Sequence, residues 1–545
     1  MSDKIIKDAI HGYISVDRFF MKIVDSAEFQ RLKYIEQGSF RVLFPAARHD
    51  RFIHSLGVYH LACLFADNFI DNLNEDLKIP KIDNKIIDKV KKTFCYAALL
   101  HDIGHAPFSH TTEKFFLNKQ NEVEGNALLQ TQFLDEIRNC LCNVEDDYTR
   151  FYEEYNTISV KPAPHEIMSA TILVKKAKVF LEDNINEIDL ALAARMVIGC
   201  TFNYENDKNT TEQDKYIIGI KNCFIRLLNS KTVDVDKLDY IKRDTDMSGF
   251  ANVVIDIERL AKSVTAINKL GCLYPAFRKN ALSVIDNVFR AKTEQGIWMV
   301  SHPIVMYDAE LLSFCINRLR KLIDESYIDE VFSLDAISVE GVMVKGKKYS
   351  LVNDVDISAD LKQHIEQKDG FSELYDRRKR RSPIWKSYYE FKYIFGVGEN
   401  ERLEQICVFF SGLIEFMRTS NIFSLNQESL KKIKDEADSK IVSKAEFLEQ
   451  FCLEEQMLFD FVLIQVANSF SPKVSNKEIF IAFNRNIRDD NLNYVTYEFL
   501  KSGNSIEDAR KMFYLYSREK FSDQKLMAFR KKLFEEIDSR GIQKV

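Results

Sequence analysis

The chain has little proline and glycine and no long hydrophobic run. Its 545 residues include 9 prolines and 18 glycines, which favours long helices over a turn-rich sheet structure. No apolar run reaches the length of about 18 residues that a membrane-spanning helix requires. The first eight residues are charged and lack the apolar segment of a signal peptide. These absences argue against a membrane or secreted protein, and we expect a cytoplasmic location.

The cysteines and the charge balance exclude two further classes of protein. The 10 cysteines are scattered, and the one tight pair, Cys140 and Cys142, has no partner pair elsewhere. This pattern indicates reduced thiols and neither a disulfide framework nor a zinc finger. The net charge of −6 argues against a strongly basic nucleic-acid binder, so nucleic acid is a partner that the sequence does not indicate.

The pattern of apolar residues predicts a mainly α fold in two parts. Helical spacing dominates from about residue 19 to 330, after an alternating segment at 10–16 that is typical of a short strand or hairpin. The polar, partly acidic residues 118–160 suggest an insertion or a mobile loop. Beyond 330 the sequence predicts a hairpin at 339–356 and strands at 461–466 and 479–483. We therefore expect a helical core at 1–330 and a mixed α+β C-terminal lobe at 331–545, which would serve oligomerisation or regulation.

The most informative feature is the pair His101-Asp102, which ends the apolar run at 94–100. Most His-Asp dipeptides are solvated surface pairs. A buried pair is costly unless a cation neutralises it, and here His105 and His110 follow on an otherwise apolar stretch. Further histidines stand in two other segments, near 54 and 165, and residues 233–244 combine many carboxylates with apolar residues at helical spacing.

Two imidazoles and two carboxylates from three helices would make a mixed nitrogen and oxygen metal site. Such donors suit manganese, iron or zinc better than calcium, and magnesium less well. Cationic and hydrogen-bonding side chains lie close to these segments in the sequence, and they suit a polyphosphate: Arg51, His105, His110, Lys237 and Tyr240. Attack of a metal-activated water on phosphorus is the chemistry that this combination favours, with histidine as acid or base.

An ordered series of motifs resembles the HD-domain phosphohydrolases, and within them the deoxynucleoside triphosphate triphosphohydrolases. This group includes bacterial dGTPases and a vertebrate antiviral enzyme. The resemblance covers roughly residues 4–320, and it implies an HD-domain helical core. It is carried by six segments: Asp8–Ile14, Phe29–Ile35, Phe44–Ala46, His54–Gly57, His101–His110 and Asp236–Ile241.

The resemblance implies a role for each matching residue. The metal ligands would be His54, His101, Asp102 and Asp236, with manganese, iron or magnesium as the ion and zinc as a further candidate. Proton transfer and the reacting phosphate would involve His105, His110, Glu113 and His165. The substrate would contact Gln37 at the sugar edge, Asp244 at the 3′-hydroxyl, and Arg51, Lys237 and Tyr240 at the phosphates. The reaction implied is attack at the α-phosphorus, which releases a deoxynucleoside and triphosphate.

One segment departs from the family. Where relatives often have an arginine and a tyrosine before the histidine that matches His302, this chain has Lys292 and Val300. We expect the phosphate contact to move to Lys292 or Arg290, and base stacking to move to Trp298.

The resemblance also implies a regulatory nucleotide site and a homo-oligomeric assembly. An activating nucleotide would lie near the positions of Lys4, Ile5, Asp25, Gln30, Lys33 and Arg259, although Lys33 replaces an arginine that reads the base. Relatives form homo-oligomers, so a dimer, tetramer or hexamer is expected. The basic run 377–381 is a solvated helix face, a phosphate contact at a subunit interface, or a nucleic-acid contact.

Two alternative functions stay open. The protein could be an HD phosphohydrolase that acts on a nucleoside monophosphate, a cyclic nucleotide or an alarmone. It could also be a nucleic-acid-binding protein with a vestigial site. Depletion of dNTPs as a defence against viruses or phages is a further hypothesis.

Overall fold

A computed structural model describes most of the chain. The described residues are 3–77, 82–117, 122–141, 145–158, 161–203, 211–230, 232–250, 253–366, 370–396, 400–466, 479–483, 493–500 and 512–539. Cys142, one member of the tight cysteine pair, lies outside them. The structure is 64% helical with a few small sheets, which confirms the mainly α fold and the mixed α+β character of the C-terminal region.

The α-helices within the described residues run in this order: α1 Arg18–Val24, α2 Ala27–Arg31, α3 Arg51–Asp76, α4 Asn84–Leu100, α5 Glu122–Cys140, α6 Glu145–Asn156, α7 Pro164–Lys175, α8 Ala177–Leu181, α9 Leu190–Ile198, α10 Glu212–Leu228, α11 Val235–Ser248, α12 Ile257–Ser263, α13 Leu282–Gln295, α14 Pro303–Leu322, α15 Tyr327–Val331, α16 Asp354–Lys362, α17 Phe371–Tyr375, α18 Tyr388–Phe395, α19 Asn400–Thr419, α20 Gln427–Glu436, α21 Ser439–Glu454, α22 Tyr497–Leu500 and α23 Asp523–Ser539.

The strands are short: β1 Lys4–Asp8, β2 Gly12–Val16, β3 Val264–Lys269, β4 Cys272–Arg278, β5 Val342–Val344, β6 Lys347–Tyr349, β7 Ser382–Pro383, β8 Phe461–Val466, β9 Phe480–Ala482, β10 Tyr494–Thr496 and β11 Met512–Ser517. They form the hairpins β1-β2 and β5-β6, a sheet of order β10-β9-β4-β3 and a sheet of order β7-β11-β8. The predicted N-terminal hairpin, the hairpin after 339 and the strands near 461 and 479 are confirmed.

The contacts divide the chain into two compact units. The first comprises Met1–Gln295, Ser326–Ile357 and Pro472–Ser505, and the second comprises Gly296–Glu325, Ser358–Ser471 and Ile506–Val545. A domain boundary near residue 330 stays a prediction.

In the first unit, side-chain caps and buried apolar faces set the helices that carry the site. Asp50 caps α3 by accepting from the Ile53 N–H, and Asp234 caps α11 by accepting from the Lys237 N–H. The second half of α4 is buried on all sides from Phe94 to Leu100, and the helix ends at His101. Helices α3, α4 and α11 pack together and bring the ends of three helices to one place.

The mobile-loop interpretation of 118–160 is wrong over most of its length, whereas an insertion stays a prediction. Helices α5 and α6 occupy residues 122–140 and 145–156. Their apolar residues lie three or four positions apart and are buried, among them Phe133, Ile137, Phe151 and Tyr155. Most of the acidic residues between these positions lie on the exposed faces and obscure the helical spacing, although Glu154 is buried.

In the second unit, part of the basic run 377–381 takes part in a buried ion-pair network. Arg381 is 7% exposed and contacts two carboxylates, Glu373 at 3.1 Å and Asp460 at 2.6 Å. Arg378, by contrast, is exposed and pairs with Asp376. The run is therefore not one uniform solvated face. Among the described helices, none combines the length and hydropathy that a membrane crossing requires.

Candidate metal centre

Four predicted ligands converge at the ends of α3, α4 and α11. His54 Nε2 lies 3.4 Å from Asp102 Oδ2 and 3.1 Å from Asp236 Oδ1. His101 Nε2 lies 3.5 Å from both Asp102 Oδ1 and Asp236 Oδ1. Ligand atoms of His54, His101 and Asp102 all lie within 4.8 Å of one another. The sequence-based set is thus brought into one cluster.

The other ring nitrogen of each histidine is already engaged. His54 Nδ1 donates to Asp239 Oδ2 at 2.7 Å, and His101 Nδ1 donates to the Ala98 carbonyl at 2.8 Å. Both Nε2 atoms are buried and lack a hydrogen-bond partner among the described residues. A metal-ligating histidine has this arrangement, in which one nitrogen is held from behind and the other faces the centre.

A buried network behind His54 was not predicted from the sequence. Asp239 accepts from His11 Nε2 at 2.6 Å, and the Arg243 guanidinium donates to both Asp239 and Asp8. His11 comes from the turn between β1 and β2, so the N-terminal hairpin helps to fix the orientation of a candidate ligand. The signal in the sequence was the spacing of Asp236, Asp239 and Arg243 on one helix.

The electrostatics of the cluster fit a cation. Burial lowers the pKa of His54, but the carboxylates of Asp236, Asp239 and Asp102 outweigh burial and raise it to about 9. Burial opposes ionisation of Asp102, yet Arg51 and the neighbouring histidines hold its pKa well below the usual range. Excess negative charge beside two unpartnered imidazole nitrogens is what a divalent cation neutralises, so the residues fit a metal with nitrogen and oxygen ligands.

A second histidine cluster borders the first. His105 Nε2 lies 3.2 Å from Asp102 Oδ1, and the His105 ring stacks on His165 with centroids 4.2 Å apart. The Glu113 carboxylate joins the rest: one oxygen accepts from His165 Nδ1 at 2.5 Å, and the other accepts from His110 Nδ1 at 2.9 Å. The structure therefore brings together all four residues predicted for proton transfer.

The protonation of this second cluster is uneven. Burial lowers the pKa of His165, but the Glu113 charge outweighs burial and raises it to about 9. Burial and the Arg51 charge push the pKa of His105 well below its usual value. Burial opposes ionisation of Glu113, but His165 and His110 hold its pKa far below the usual range. At neutral pH these shifts leave the His165 ring protonated and the His105 ring neutral.

Three predicted phosphate-binding residues also lie together. Lys292 Nζ lies 4.4 Å from the centroid of the Tyr240 ring and donates to its hydroxyl. Lys237 donates to Asp234 and to the Ser230 carbonyl. Burial and the nearby Lys237 lower the pKa of Lys292 to about 8, so the two cations are close enough to repel each other. Such repulsion is relieved when an anion binds between them.

Arg51 and Gln37 are buried beside the candidate ligands. The Arg51 guanidinium donates to Asp102 Oδ2 at 2.7 Å, to Ser109 Oγ at 3.0 Å and to the Gln37 carbonyl at 3.1 Å. The Gln37 side-chain oxygen is buried and unpartnered among the described residues. Arg51 therefore supports Asp102 directly, whatever further contact it makes.

Asp244 is held by two side chains that the sequence analysis did not assign to the site. His49 Nε2 lies 2.7 Å from one oxygen, and Gln295 Nε2 donates to the other at 2.5 Å. His49 is itself buried, at 6% exposure.

The remaining predicted residues lie in several separate parts of the structure. Lys4 pairs with Asp25, Gln30 donates to the Val24 carbonyl, and Lys33 donates to Gln30, so these residues form one patch. Ile5 is 66% exposed on β1, and Arg259 lies on α12. Trp298 and Val300 are exposed and belong to the second unit.

A comparison with known protein families finds a domain that includes three of the four candidate ligands. The HD domain family matches residues 51–180. This chain contains an HD domain. His54, His101 and Asp102 lie inside the matched residues, and Asp236 lies beyond them.

Two relatives from different organisms each match about half of this chain. An uncharacterized protein of Methanocaldococcus jannaschii is 26% identical over 303 residues, which are 55% of this chain and 47% of that protein. The deoxynucleoside triphosphate triphosphohydrolase SAMHD1 homolog of Dictyostelium discoideum is 28% identical over 272 residues, 50% of this chain and 41% of that protein. The chain thus spans less than half the length of these two relatives. The matches are consistent with the HD-domain dNTP triphosphohydrolase family.

A solved structure shares the fold over nearly the full length. The crystal structure of a hypothetical protein from Aquifex aeolicus superposes with a TM-score of 0.53 at 17% identity, covering 97% of this chain and 100% of that chain. This likeness concerns the fold alone.

Proposed function

We propose that this protein hydrolyses deoxynucleoside triphosphates to deoxynucleoside and triphosphate in a metal-dependent reaction. The proposal rests on one observation above all. Four residues suited to a divalent metal lie directly beside three histidines that Glu113 and ring stacking hold together. The name of the Dictyostelium relative supports the substrate class.

His54, His101, Asp102 and Asp236 would hold the metal, with manganese or iron as the first candidates and magnesium or zinc as others. A divalent cation bound there would supply Lewis-acid polarisation of a phosphoryl oxygen and of the attacking water. The mixed imidazole and carboxylate donors favour a transition metal over calcium.

The histidines of the second cluster would transfer the protons that the reaction needs. In the proposed reaction, a water oxygen forms a bond to the α-phosphorus and the bond from phosphorus to the 5′ oxygen breaks. The leaving 5′ oxygen then needs a proton. His165 is protonated at neutral pH because its pKa is about 9, and Glu113 occupies its Nδ1, so Nε2 is the atom that would donate. His110, bound to the same carboxylate, is the second candidate donor.

The remaining residues would bind the nucleotide. Lys237, Tyr240 and Lys292 would contact the phosphates, because they form a cationic, hydrogen-bonding group next to Asp236. Gln37 and Asp244 would contact the sugar. Arg51 would act mainly through Asp102, to which it already donates.

Regulation and assembly are further parts of the proposal. The exposed patch of Lys4, Asp25, Gln30 and Lys33, with Ile5 and Arg259, would bind an activating nucleotide. The protein would act as a homo-oligomer, and depletion of dNTPs would give it an antiviral or antiphage role.

The test is a product assay on the purified protein. Each of the four dNTPs, alone and mixed, is incubated with manganese, iron or magnesium, and the products are separated by anion-exchange chromatography. We expect deoxynucleoside and triphosphate, with faster turnover in the mixture if an activating nucleotide is needed. Monophosphates, cyclic nucleotides and alarmones are assayed in parallel. If one of these is consumed while no dNTP is, the substrate proposal is wrong.

A matched variant separates an enzyme from a binding protein. His101→Ala should lose both bound metal, measured by elemental analysis, and hydrolysis, while circular dichroism stays unchanged. His364→Ala, a histidine far from these clusters in the sequence, serves as the control. Equal hydrolysis by both variants would contradict the proposal.

A further inference from the structure

A strained corner separates the two histidines of the 105–110 segment. Phe108 and Ser109 are consecutive non-glycine residues with positive φ angles, 59° and 52°. The left-handed region costs an ordinary residue about 1 kcal/mol or more, so the surrounding structure must hold both residues there. His110 follows directly, and its ring direction depends on this corner.

A carboxylate from a distant part of the chain holds the corner. Asp354, the first residue of α16, is 7% exposed. Its Oδ1 accepts from the Phe108 N–H at 2.6 Å, and its Oδ2 accepts from the Glu36 N–H at 2.9 Å. Both oxygens are therefore used to join two backbone segments that carry predicted site residues, 105–110 and 36–37.

Further bonds close the same bridge. Ser109 Oγ donates to the Glu36 carbonyl at 2.5 Å and accepts from Arg51 Nε at 3.0 Å. Arg31, buried at 3% exposure, donates to the carbonyls of His105 and Val352. The corner is thus fixed from both sides, and its position is linked to that of the guanidinium that supports Asp102.

We propose that Asp354 is a positioning residue for the reaction, which holds the Phe108–Ser109 corner against Glu36 so that His110 points at the reacting phosphate. This inference rests on the proposed function. Asp354 contacts no candidate metal ligand among the hydrogen bonds of the described residues. It acts through the backbone of the loop, and not on the substrate.

The test variant is Asp354→Asn, which keeps the size of the side chain. Its amide nitrogen would face a backbone N–H that needs an acceptor, so one of the two bonds is lost. The matched control is Asp356→Asn, because Asp356 lies two positions further along α16 and accepts from the Asn353 N–H. We expect a fall of roughly 10-fold to 100-fold in kcat for Asp354→Asn with KM nearly unchanged, since a misplaced catalytic group mainly slows the chemical step.

Three readouts distinguish positioning from general damage. Metal content should equal that of the wild type. Hydrogen exchange, followed by mass spectrometry, should speed up in peptides covering 33–40 and 103–112, but not in the control. In a double-mutant cycle with His110→Gln, the two losses should not multiply, because both remove the same proton transfer.

The outcomes are decisive in either direction. An unchanged kcat, losses that multiply in the double variant, or a parallel loss of metal would overturn the proposal. If the wild type consumes no nucleotide, the proposed function fails, and hydrogen exchange alone still shows whether Asp354 holds the corner. Unchanged exchange at both peptides would then refute it.

Discussion

Replacing Glu113 by glutamine should lower the pKa of His165 and remove a proton donor. In the structure one Glu113 oxygen accepts from His165 Nδ1 at 2.5 Å, and its charge raises the pKa of His165 to about 9 although burial lowers it. Glutamine keeps the shape and one acceptor but removes the charge. Burial is then opposed by the smaller contributions of Glu166 and Asp102, so we expect a pKa close to the ordinary value of about 6.5.

The size of the effect follows from these values. A fall from about 9 to about 6.5 corresponds to roughly 3 kcal/mol in favour of the neutral ring. At pH 7.5 the protonated fraction of His165 would drop from about 97% to about 9%. If His165 donates the proton, activity at this pH should fall about tenfold, and the alkaline limb of the pH profile should move to lower pH.

The direct measurement is a pH titration of histidine labelled with 13C at Cε1, followed by NMR and assigned with His165→Gln. Glu166→Gln is the matched control, because the Glu166 charge contributes less to the pKa of His165 than Glu113 does. A His165 pKa that stays near 9 in Glu113→Gln would refute the reasoning, since the carboxylate would then not be its cause.

The same pair should make stability depend on pH. The folded pKa of His165 lies above its unfolded value, so its stabilising contribution is complete below about pH 6.5 and is lost as pH rises through about 9. The difference in free energy of unfolding between wild type and Glu113→Gln should therefore shrink over that range. A difference that is constant from pH 6.5 to 9.5 would contradict this coupling.

Three further substitutions test buried contacts, two beside the candidate site and one in the second unit. Asp239→Asn should weaken manganese binding 10-fold to 100-fold by calorimetry, because it loosens the candidate ligand on α3. Gly104→Ala should destabilise the protein by about 1–3 kcal/mol in urea unfolding, because a Cβ there would lie 2.4 Å from the Ser169 backbone nitrogen. Arg381→Met should lower the free energy of unfolding by about 3 kcal/mol in the same assay, because its buried carboxylate partners lose a neutralising positive charge. Arg378→Met, at an exposed position, should leave the free energy of unfolding almost unchanged.

The candidate metal ligands named from the sequence lie together in the structure because the motif residues lie at helix ends. His54 near the start of α3, His101 at the end of α4 and Asp236 in the first turn of α11 meet as soon as those three helices pack. The short hairpins were also predictable, since alternating residues around a glycine-containing turn are a local signal.

The supporting residues were not predictable, because they depend on contacts between distant parts of the chain. Asp354 reaches Phe108 across 246 positions, and His11 reaches Asp239 across 228. Neither residue belongs to a local pattern that identifies its partner.

Helices α5 and α6 were not predicted for a different reason. Polar and charged residues dominate the composition of this segment, and they mask the spacing of the buried apolar residues.

The order of strands in the sheet β10-β9-β4-β3 has a consequence for synthesis on the ribosome. Strand β9 pairs in parallel with β4, although about two hundred residues separate them in the sequence. The unit that carries the candidate metal centre therefore cannot finish its sheet until residues beyond 490 have left the exit tunnel. Until then, the edge of β4 that later pairs with β9 stays unpaired, and an unpaired strand edge can form hydrogen bonds with strands of other chains. We expect chains that are released early to associate through that edge, so that premature termination gives aggregates and not a smaller folded protein.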